Sequence, residues 1–413
     1  MRILHNPTFR NLWAANTISS FGTLFGALSL TALIYLDASP AEMGVLAAAT
    51  SMPVLLFALV AGVWVDRLPR VPVMVAADLG RFAALMTVPV AAAAGHLRIE
   101  QIYAVSFVAG CLNVMFNLAF RSVLPVLVPR DRVVDANSTL GMSESVAASA
   151  SPAIGGGIAQ GVGGPVAVLI DATTFLISGL LVSRIGSPAG GERPKRRSAL
   201  AEAFEGLRAV VHQPVLRAVF GMVATYSFFG GFIVTLYGLW VIDGLGFSAF
   251  TLGVLLASGG IGAVVGAWLA GPTARSLGLG RSIVATYIVA AALLFLTPLA
   301  GGPVWLAFMM LLTEQCVGDA FWTIHNIHAM SMRQSITPDE RLGRVNAFFL
   351  LASQGLRPIG ALIAGVAAGF VGVKAGLLIS AVGINLAGLW LILSPLPWLT
   401  DASWTPPRSQ AEK

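Results

Sequence analysis

Residues 281–300 read RSIVATYIVAAALLFLTPLA and carry no charge after Arg281. About 20 mostly apolar residues are enough for an α-helix to cross the hydrocarbon core of a membrane. Comparable runs continue along the chain, and they are continuously apolar, unlike the alternating strands of a membrane barrel. The sequence therefore predicts an all-α membrane protein with twelve transmembrane helices, near residues 11–36, 42–66, 72–95, 101–125, 137–162, 164–185, 215–242, 250–273, 281–300, 304–331, 344–370 and 373–394.

The composition agrees with a lipid environment. Of 413 residues, 56% are hydrophobic and 11% are charged, whereas soluble proteins carry roughly 25% charged residues. With so few charges, a soluble chain would expose large apolar patches to water. Cys111 and Cys316 each lie within an apolar run, so we expect no disulfide framework, no metal site and no cofactor.

The basic residues indicate an orientation in the membrane. The formal net charge is +6, but in a membrane protein the positions of the positive charges report topology rather than a nucleic-acid partner. Twelve spans place both termini on one side. If that side is the cytoplasm, Arg98 and Lys374 are the only lysine or arginine residues between the predicted spans or at their ends that face the opposite side of the membrane. The pattern predicts a multi-pass protein of a bacterial inner membrane with cytoplasmic termini, and the first apolar run is too long for a cleaved signal peptide.

The chain has the organisation of a duplicated unit. The basic polar segment 186–214 separates a predicted N-terminal six-helix bundle, 1–185, from a C-terminal bundle with a short cytoplasmic tail, 215–413. One constant offset along the chain pairs Asn117 with Asn326, Pro129 with Pro338, Asp131 with Glu340, Arg132 with Arg341 and Asn137 with Asn346. Parallel six-helix repeats occur in transporters whose substrate site lies near the midplane between the halves. We therefore expect two pseudo-symmetric bundles.

Residues 62–70, GVWVDRLPR, follow the second span and resemble the major facilitator signature G-x-x-x-D-R-x-G-R, except that Pro69 replaces the second glycine. In that superfamily the charged residues of this loop form a cytoplasmic latch. The resemblance implies the fold named after the superfamily, and it implies a latch made of Gly62, Asp66, Arg67, Arg70 and Arg344.

A second likeness lies in the fifth span and the chain ends. Ser151, Pro152, Gly155 and Gly156 resemble the superfamily's antiporter motif, with small residues along one stripe. Such a stripe allows two helices to approach closely. Residues 9–13, FRNLW, and 342–347, LGRVNA, are similar to the bacterial drug and siderophore exporter branch that includes macrolide efflux proteins and the enterobactin exporter.

Ionisable residues inside the spans are candidates for function, because a charge in the hydrocarbon is costly. Asp78 and Arg81 are spaced to pair on one helix. Glu314 and Asp319 are five residues apart, about 140° around a regular α-helix, so they are not expected to share a face. The candidates for proton coupling are Asp319, which we prefer, and Glu314, Glu144 and Asp171; those for buried ion pairs are Asp78, Arg81, Arg121 and Arg357.

Polar and aromatic residues predict a substrate cavity. Asn113, Asn117 and Arg121 form one stripe on the fourth helix, and the repeat predicts a matching stripe with Asp319, Trp322 and Asn326 on the tenth. Lipid-facing filler is the alternative for each aromatic residue. The cavity candidates are Asn113, Phe116, Asn117, Tyr226, Phe229, Phe321, Trp322 and Asn326, a set that suits an amphipathic or weakly cationic ligand better than a sugar.

These features favour a secondary active transporter, not an enzyme. No Gly-x-x-x-x-Gly-Lys-Ser/Thr loop is present for ATP. We expect proton-coupled antiport by alternating access, with efflux of a small drug, secondary metabolite or siderophore, as in multidrug efflux. We also expect the protein to act as a monomer surrounded by membrane lipid and to bind no nucleic acid. The alternatives are gradient-driven uptake, a non-transporting sensor and an intramembrane enzyme.

Overall fold

A computed structural model describes residues 5–23, 26–57, 69–129, 132–186, 208 and 210–398. Within these ranges the regular structure is entirely helical, which confirms the predicted all-α class. Residues 62, 66 and 67 of the predicted latch and most of the predicted linker, 187–207, lie outside the described residues.

Twelve helical segments follow one another along the described chain, and we label them α1 to α12. They are α1, made of Pro7–Thr23, Ala27–Leu30 and the π-helical turn Thr31–Tyr35; α2, Pro40–Phe57; α3, Arg70–Ala93; α4, Ile99–Leu127; α5, Val133–Val162; α6, Gly164–Ser183; α7, Pro214–Leu239 with the π-helical turn Trp240–Gly244; α8, Ala249–Leu277; α9, Leu279–Leu293 with the short turn Leu296–Leu299; α10, Val304–Thr313, Glu314–Gly318 and Asp319–Ile336; α11, Asp339–Val371; and α12, Val373–Ile392, which is followed by the 3-10 turn Leu396–Trp398.

Ten helices in the described part are long and apolar enough to cross a membrane. The stretch Pro40–Leu56 in α2 is also apolar but shorter, and its predicted continuation to residue 66 lies outside the described residues. The 30-residue α5 is long enough but contains Asp135, Glu144 and many serines. Large apolar side chains such as Trp268 and Phe370 point outward, 79% and 87% exposed. That surface suits lipid.

Local sequence explains where several helices begin. At the start of α2, the Ser39 backbone N–H donates to Glu42 Oε2 at 2.8 Å and the Glu42 N–H donates back to Ser39 Oγ at 3.4 Å. This reciprocal pair is a capping box. Asn6 accepts from the Thr8 N–H at 3.0 Å before α1, and Ser248 accepts from the Thr251 N–H at 3.1 Å before α8.

The sequence repeat has counterparts in the backbone. The π-helical turns Thr31–Tyr35 and Trp240–Gly244 are related by the same offset that pairs Asn117 with Asn326. Gly163 joins α5 to α6 with φ 91°, and Gly372 joins α11 to α12 with φ 85°, again at that offset. Positive φ favours glycine, so the repeat preserves not only residues but also the local backbone.

The chain divides into two compact units. One comprises Met1–Lys195 and Gly238–Ala257, and the other comprises Arg196–Tyr237 and Ser258–Lys413. The first has a core of apolar side chains from α1, α3, α4, α5 and α6, and the second has one from α7, α9, α10, α11 and α12.

Candidate functional site

A buried ion pair joins three helices of the first unit. Arg81 pairs with Asp78, one turn earlier in α3, and both side chains are buried. Ser178 Oγ of α6 donates to Asp78 Oδ2 at 2.6 Å. Arg81 Nη1 donates to Asn113 Oδ1 of α4 at 3.2 Å. The sequence singled out Asn113 but not Ser178, because no periodicity links positions 78 and 178, and Arg81 Nε is buried without a hydrogen-bond partner among the described residues.

Aromatic rings surround the Arg81 guanidinium. Its carbon lies 4.7 Å from the centre of the Phe116 ring and 4.2 Å from that of Phe175, distances at which a cation is attracted to a ring face. Phe116 is only 3% exposed. It is packed against Arg81 in the core rather than on a cavity wall.

The polar stripe of α4 runs from this network to the surface. Asn117 Nδ2 donates to Asn113 Oδ1 at 3.0 Å. Asn117 and Arg121 are both exposed, and Arg121 forms no ion pair with any described side chain. The stripe therefore joins the buried network through Asn113 and continues to the surface through Asn117.

The two proton-coupling candidates of the first unit, Asp171 and Glu144, have different surroundings. Asp171 is 6% exposed, lies within electrostatic range of Arg81, and has one carboxylate oxygen without a hydrogen-bond partner among the described residues. Gly22 of α1 packs against it so closely that a Cβ there would meet Asp171 Oδ1. Glu144 is exposed, and its Oε1 accepts from Asn16 Nδ2 at 3.1 Å.

The small-residue stripe of α5 touches α8 backbone to backbone. A Cβ on Gly156 would meet the Ala249 carbonyl, and a Cβ on Gly253 would meet the Pro152 carbonyl. Ser151 and Gly155 are also buried. Small residues in this stripe let the two helices approach more closely than larger side chains would allow.

We expect Gly156→Ala to lower the stability of the protein by about 1–3 kcal/mol, since an added methyl group in a tight contact forces the backbone apart. Gly157→Ala is the matched control, because its Cβ would lie 3.4 Å from the Phe250 ring, an ordinary contact. Unfolding of both variants in detergent micelles by SDS titration measures the difference. Equal stabilities would contradict the tight contact.

The second unit contains a cavity of about 460 Å³ among α7, α10 and α11. Its lining combines aromatic, amide, hydroxyl and guanidinium groups, namely Tyr226, Ser227, Trp322, Asn326, Arg333, Asn346, Phe349, Ser353, Gln354 and Arg357, together with Val223, Gly230 and Leu350. Four residues singled out in the sequence, Tyr226, Trp322, Asn326 and Arg357, thus meet in one place. Arg333, Asn346 and Gln354 were not among the candidates for the cavity.

An aromatic pair forms one wall of this cavity. The Tyr226 and Trp322 rings are stacked with their centres 4.1 Å apart and their planes 17° apart. Trp322 also stacks on His325, with the ring centres 5.4 Å apart. These ring contacts hold the Tyr226 and Trp322 side chains in a defined orientation.

A smaller cavity of about 50 Å³ contains both acids of α10. Glu314 and Asp319 line it together with Tyr226, Trp322 and Tyr287. The expectation that the two acids cannot share a face is therefore wrong, and the reason is that Glu314–Gly318 forms a π-helical turn. Such a turn closes i→i+5 hydrogen bonds, so residues five apart come onto neighbouring faces.

Close helix contacts hold this acid pocket in place. A Cβ on Gly259 of α8 would meet Asp319 Oδ2, and a Cβ on Gly262 would meet the Cys316 carbonyl. Cys316 Sγ donates to the Ser258 carbonyl at 3.3 Å. One carboxylate oxygen of Glu314 is buried without a hydrogen-bond partner among the described residues. The space is large enough for water to reach the acids.

The two histidines of α10 connect it to neighbouring helices. His328 lies 2.8 Å from Ser282 Oγ through Nδ1 and 2.9 Å from the Ala270 carbonyl through Nε2. A carbonyl only accepts, so Nε2 carries the proton and Nδ1 accepts from serine. His325 Nδ1 donates to the Ile283 carbonyl at 2.9 Å. Both histidines therefore make structural hydrogen bonds.

The other candidate residues lie apart from both cavities. Phe229 packs with Phe228 and Phe232, and a Cβ on Gly383 of α12 would meet its ring. Phe321 is partly buried and lines neither cavity. Of the latch residues that are described, Arg70 is the first residue of α3 and Arg344 lies in the second turn of α11.

The sequence matches the family described as transmembrane secretion effector over residues 2–412. The uncharacterized MFS-type transporter YfiS of Bacillus subtilis is 25% identical over 225 residues, 52% of this chain and 53% of YfiS. The MFS-type transporter y4rN of Sinorhizobium fredii is 28% identical over 272 residues, 62% of this chain and 64% of y4rN. The multidrug efflux pump Tap of Mycolicibacterium fortuitum is 25% identical over 378 residues, 87% of this chain and 88% of Tap. The chain thus spans about half to two thirds of the first two relatives and most of Tap.

Solved structures share the fold. A mutant of the nucleoside transporter NupG has a TM-score of 0.75 at 12% identity, covering 94% of this chain and 99% of that one. A bacterial homologue of the iron transporter ferroportin has a TM-score of 0.74 at 15% identity, covering 94% and 98%. At such low sequence identity the likeness concerns the fold alone, and it confirms the predicted fold class.

Proposed function

The chain belongs to the transmembrane secretion effector family of the major facilitator superfamily, and on this premise we propose that it exports a small amphipathic compound in exchange for protons. The family and its relatives are transporters, not enzymes. A multi-pass membrane protein with a small-molecule substrate follows from the family. Export, protons as the coupling ion, a bacterial inner membrane, cytoplasmic termini and a monomeric state are parts of the proposal.

One observation carries the proposal, namely that Tyr226 and Trp322 line both the larger cavity and the acid pocket. The larger cavity, about 460 Å³, falls within the range of cavities that hold drug-sized ligands. A substrate that presses on the Tyr226–Trp322 stack changes the surroundings of Glu314 and Asp319 behind it. Substrate and proton then oppose each other's binding, which is the coupling that an antiporter needs.

The direction is supported by likeness to an exporter. The relative Tap is named a multidrug efflux pump and aligns with 87% of this chain. The antiporter-like stripe of α5 would serve as a tightly packed hinge at Pro152, because proline removes one backbone hydrogen bond of the helix.

The proposal is tested with purified protein in liposomes that carry an imposed pH gradient. Dyes, macrolides and siderophores are supplied, and their movement is followed with and without the gradient. We expect at least one compound to accumulate against its own gradient only while protons flow in the opposite direction. Accumulation driven in the same direction as the protons would indicate uptake, and absence of gradient-dependent movement for all compounds would contradict transport.

The latch residues supply a further expected result. Asp66→Asn should slow turnover while the affinity for substrate stays unchanged, because the charge acts on the change of conformation and not on the ligand. Turnover in liposomes and equilibrium binding in detergent give the two quantities. If the variant keeps normal turnover but loses substrate binding, the proposed role of Asp66 in the latch is contradicted.

A further inference from the structure

The larger cavity of the second unit contains two cations that pair with no carboxylate of the described residues. Arg333 of α10 and Arg357 of α11 both line it, and neither lies within ion-pair distance of a described acidic side chain. The acids Glu314 and Asp319 lie in the separate pocket behind the Tyr226–Trp322 stack. Arg333 lies in the last turn of α10, and two guanidinium groups on one cavity wall without a described carboxylate partner suit an anionic ligand.

Individual polar atoms of this cavity also lack partners within the described part of the chain. The Nε of Arg333 is a buried donor with no acceptor there, and the Oδ1 of Asn346 is a buried acceptor with no donor among the described residues. The Arg333 guanidinium lies 4.6 Å from the centre of the Phe349 ring, which holds it in place. Buried polar groups are nearly always hydrogen-bonded. A donor and an acceptor left open on one cavity wall therefore indicate a ligand.

We propose that this cavity binds an amphipathic organic acid, whose carboxylate is held by Arg333 and Arg357 and whose neighbouring hydroxyl or amide N–H donates to Asn346. Arginine binds carboxylates in a planar, two-pronged geometry. The planar apolar part of the ligand packs on the Tyr226–Trp322 stack. This inference rests on the proposed transport function and names its substrate class, and it replaces the weakly cationic ligand expected from the sequence.

The spacing along α10 sets the size of the ligand. Trp322 and Arg333 are separated by eleven residues, a rise of about 16 Å. This spacing favours an elongated compound, with its ring system toward Trp322 and its acid toward Arg333. Arg357 lines the same cavity from the neighbouring helix, so it offers a second cation to the acid.

Two dyes with the same xanthene ring and opposite charges test the proposal, anionic fluorescein and a cationic rhodamine ester. Their affinity for the full-length protein in phosphatidylcholine nanodiscs is measured by fluorescence anisotropy. We expect Arg357→Gln and Arg333→Gln each to weaken fluorescein binding at least tenfold and to leave rhodamine binding unchanged. Arg357→Lys should restore part of the affinity, and Arg281→Gln, an exposed arginine at the start of α9, should have no effect.

The possible results separate the subsite from the proposed export. If both dyes lose affinity equally, or if fluorescein fails to bind the unaltered protein, the acid subsite is overturned. Arg357 is exposed, so Arg357→Gln serves even if Arg333→Gln fails to fold. If added phosphatidylglycerol competes with fluorescein, the site binds a lipid headgroup, and the proposal of a soluble organic acid is overturned. If fluorescein binds as expected but no pH gradient moves it in liposomes, the subsite stands and the proposed export fails.

Discussion

Asp319→Asn is expected to reduce proton-driven transport to the level of protein-free liposomes. The substitution keeps the shape of the side chain but removes the group that takes and releases a proton. Asp319 lines the acid pocket that shares Tyr226 and Trp322 with the larger cavity. Exchange of labelled for unlabelled substrate without a gradient should continue, because substrate binding does not need the proton. Both rates are measured in the same liposome preparation.

The controls for Asp319 come from the other membrane acids. Glu314→Gln alters the second acid of the same pocket and should have the smaller effect if Asp319 carries the proton. Asp171→Asn alters a buried acid of the other unit, and Glu144→Gln an exposed one. Proton-driven transport that survives both Asp319→Asn and Glu314→Gln would contradict coupling through α10. If only Asp171→Asn loses transport, the residue that binds the coupled proton is Asp171 of the first unit.

Most of the fold could be predicted because the membrane imposes it. In hydrocarbon every backbone polar group must be satisfied within the segment, so long apolar runs have helix as their only solution. The predicted spans 373–394 and 164–185 correspond closely to Val373–Ile392 and Gly164–Ser183. The offset found in the sequence recurs in Gly163 and Gly372, because both must adopt a backbone conformation that glycine tolerates best.

The acid pocket could not be predicted, because it depends on a single irregular turn. The residues Glu314–Gly318 read EQCVG, a sequence without a helix-breaking proline. A π-helical turn is stabilised by its tertiary surroundings, and such turns are frequent at functional sites. Here Gly259 and Gly262 of α8 leave space for the widened turn. Neither glycine is near it in sequence.

The partners of the polar stripes also depend on packing. Periodicity places Asn113, Asn117 and Arg121 on one face of α4, but it does not say which helix meets that face. In the structure Asn113 binds Arg81, so the stripe serves a buried network at one end and the surface at the other. Arg357 is predicted to join a buried ion pair, yet it is exposed and lines the larger cavity, whereas both acids of α10 line the smaller one.

The buried ion pair of the first unit should produce the largest change in stability. Arg81→Met leaves Asp78 buried with a negative charge and only Ser178 as a hydrogen-bond partner among the described residues. It also removes a cation that interacts electrostatically with Asp171. Removing one partner of a buried pair costs about 3–5 kcal/mol. SDS titration in mixed micelles, followed by circular dichroism, measures the loss.

The double variant Asp78→Leu with Arg81→Met separates the charge from the packing. Replacing both members of a buried pair by apolar residues is often neutral or stabilising, so the double variant should be more stable than Arg81→Met alone, and the difference between them gives the coupling of the two residues. Arg121→Met, an exposed arginine on α4, should change stability by less than about 0.5 kcal/mol. If Arg81→Met and Arg121→Met unfold at the same SDS fraction, the Asp78–Arg81 pair contributes nothing to the stability of the first unit.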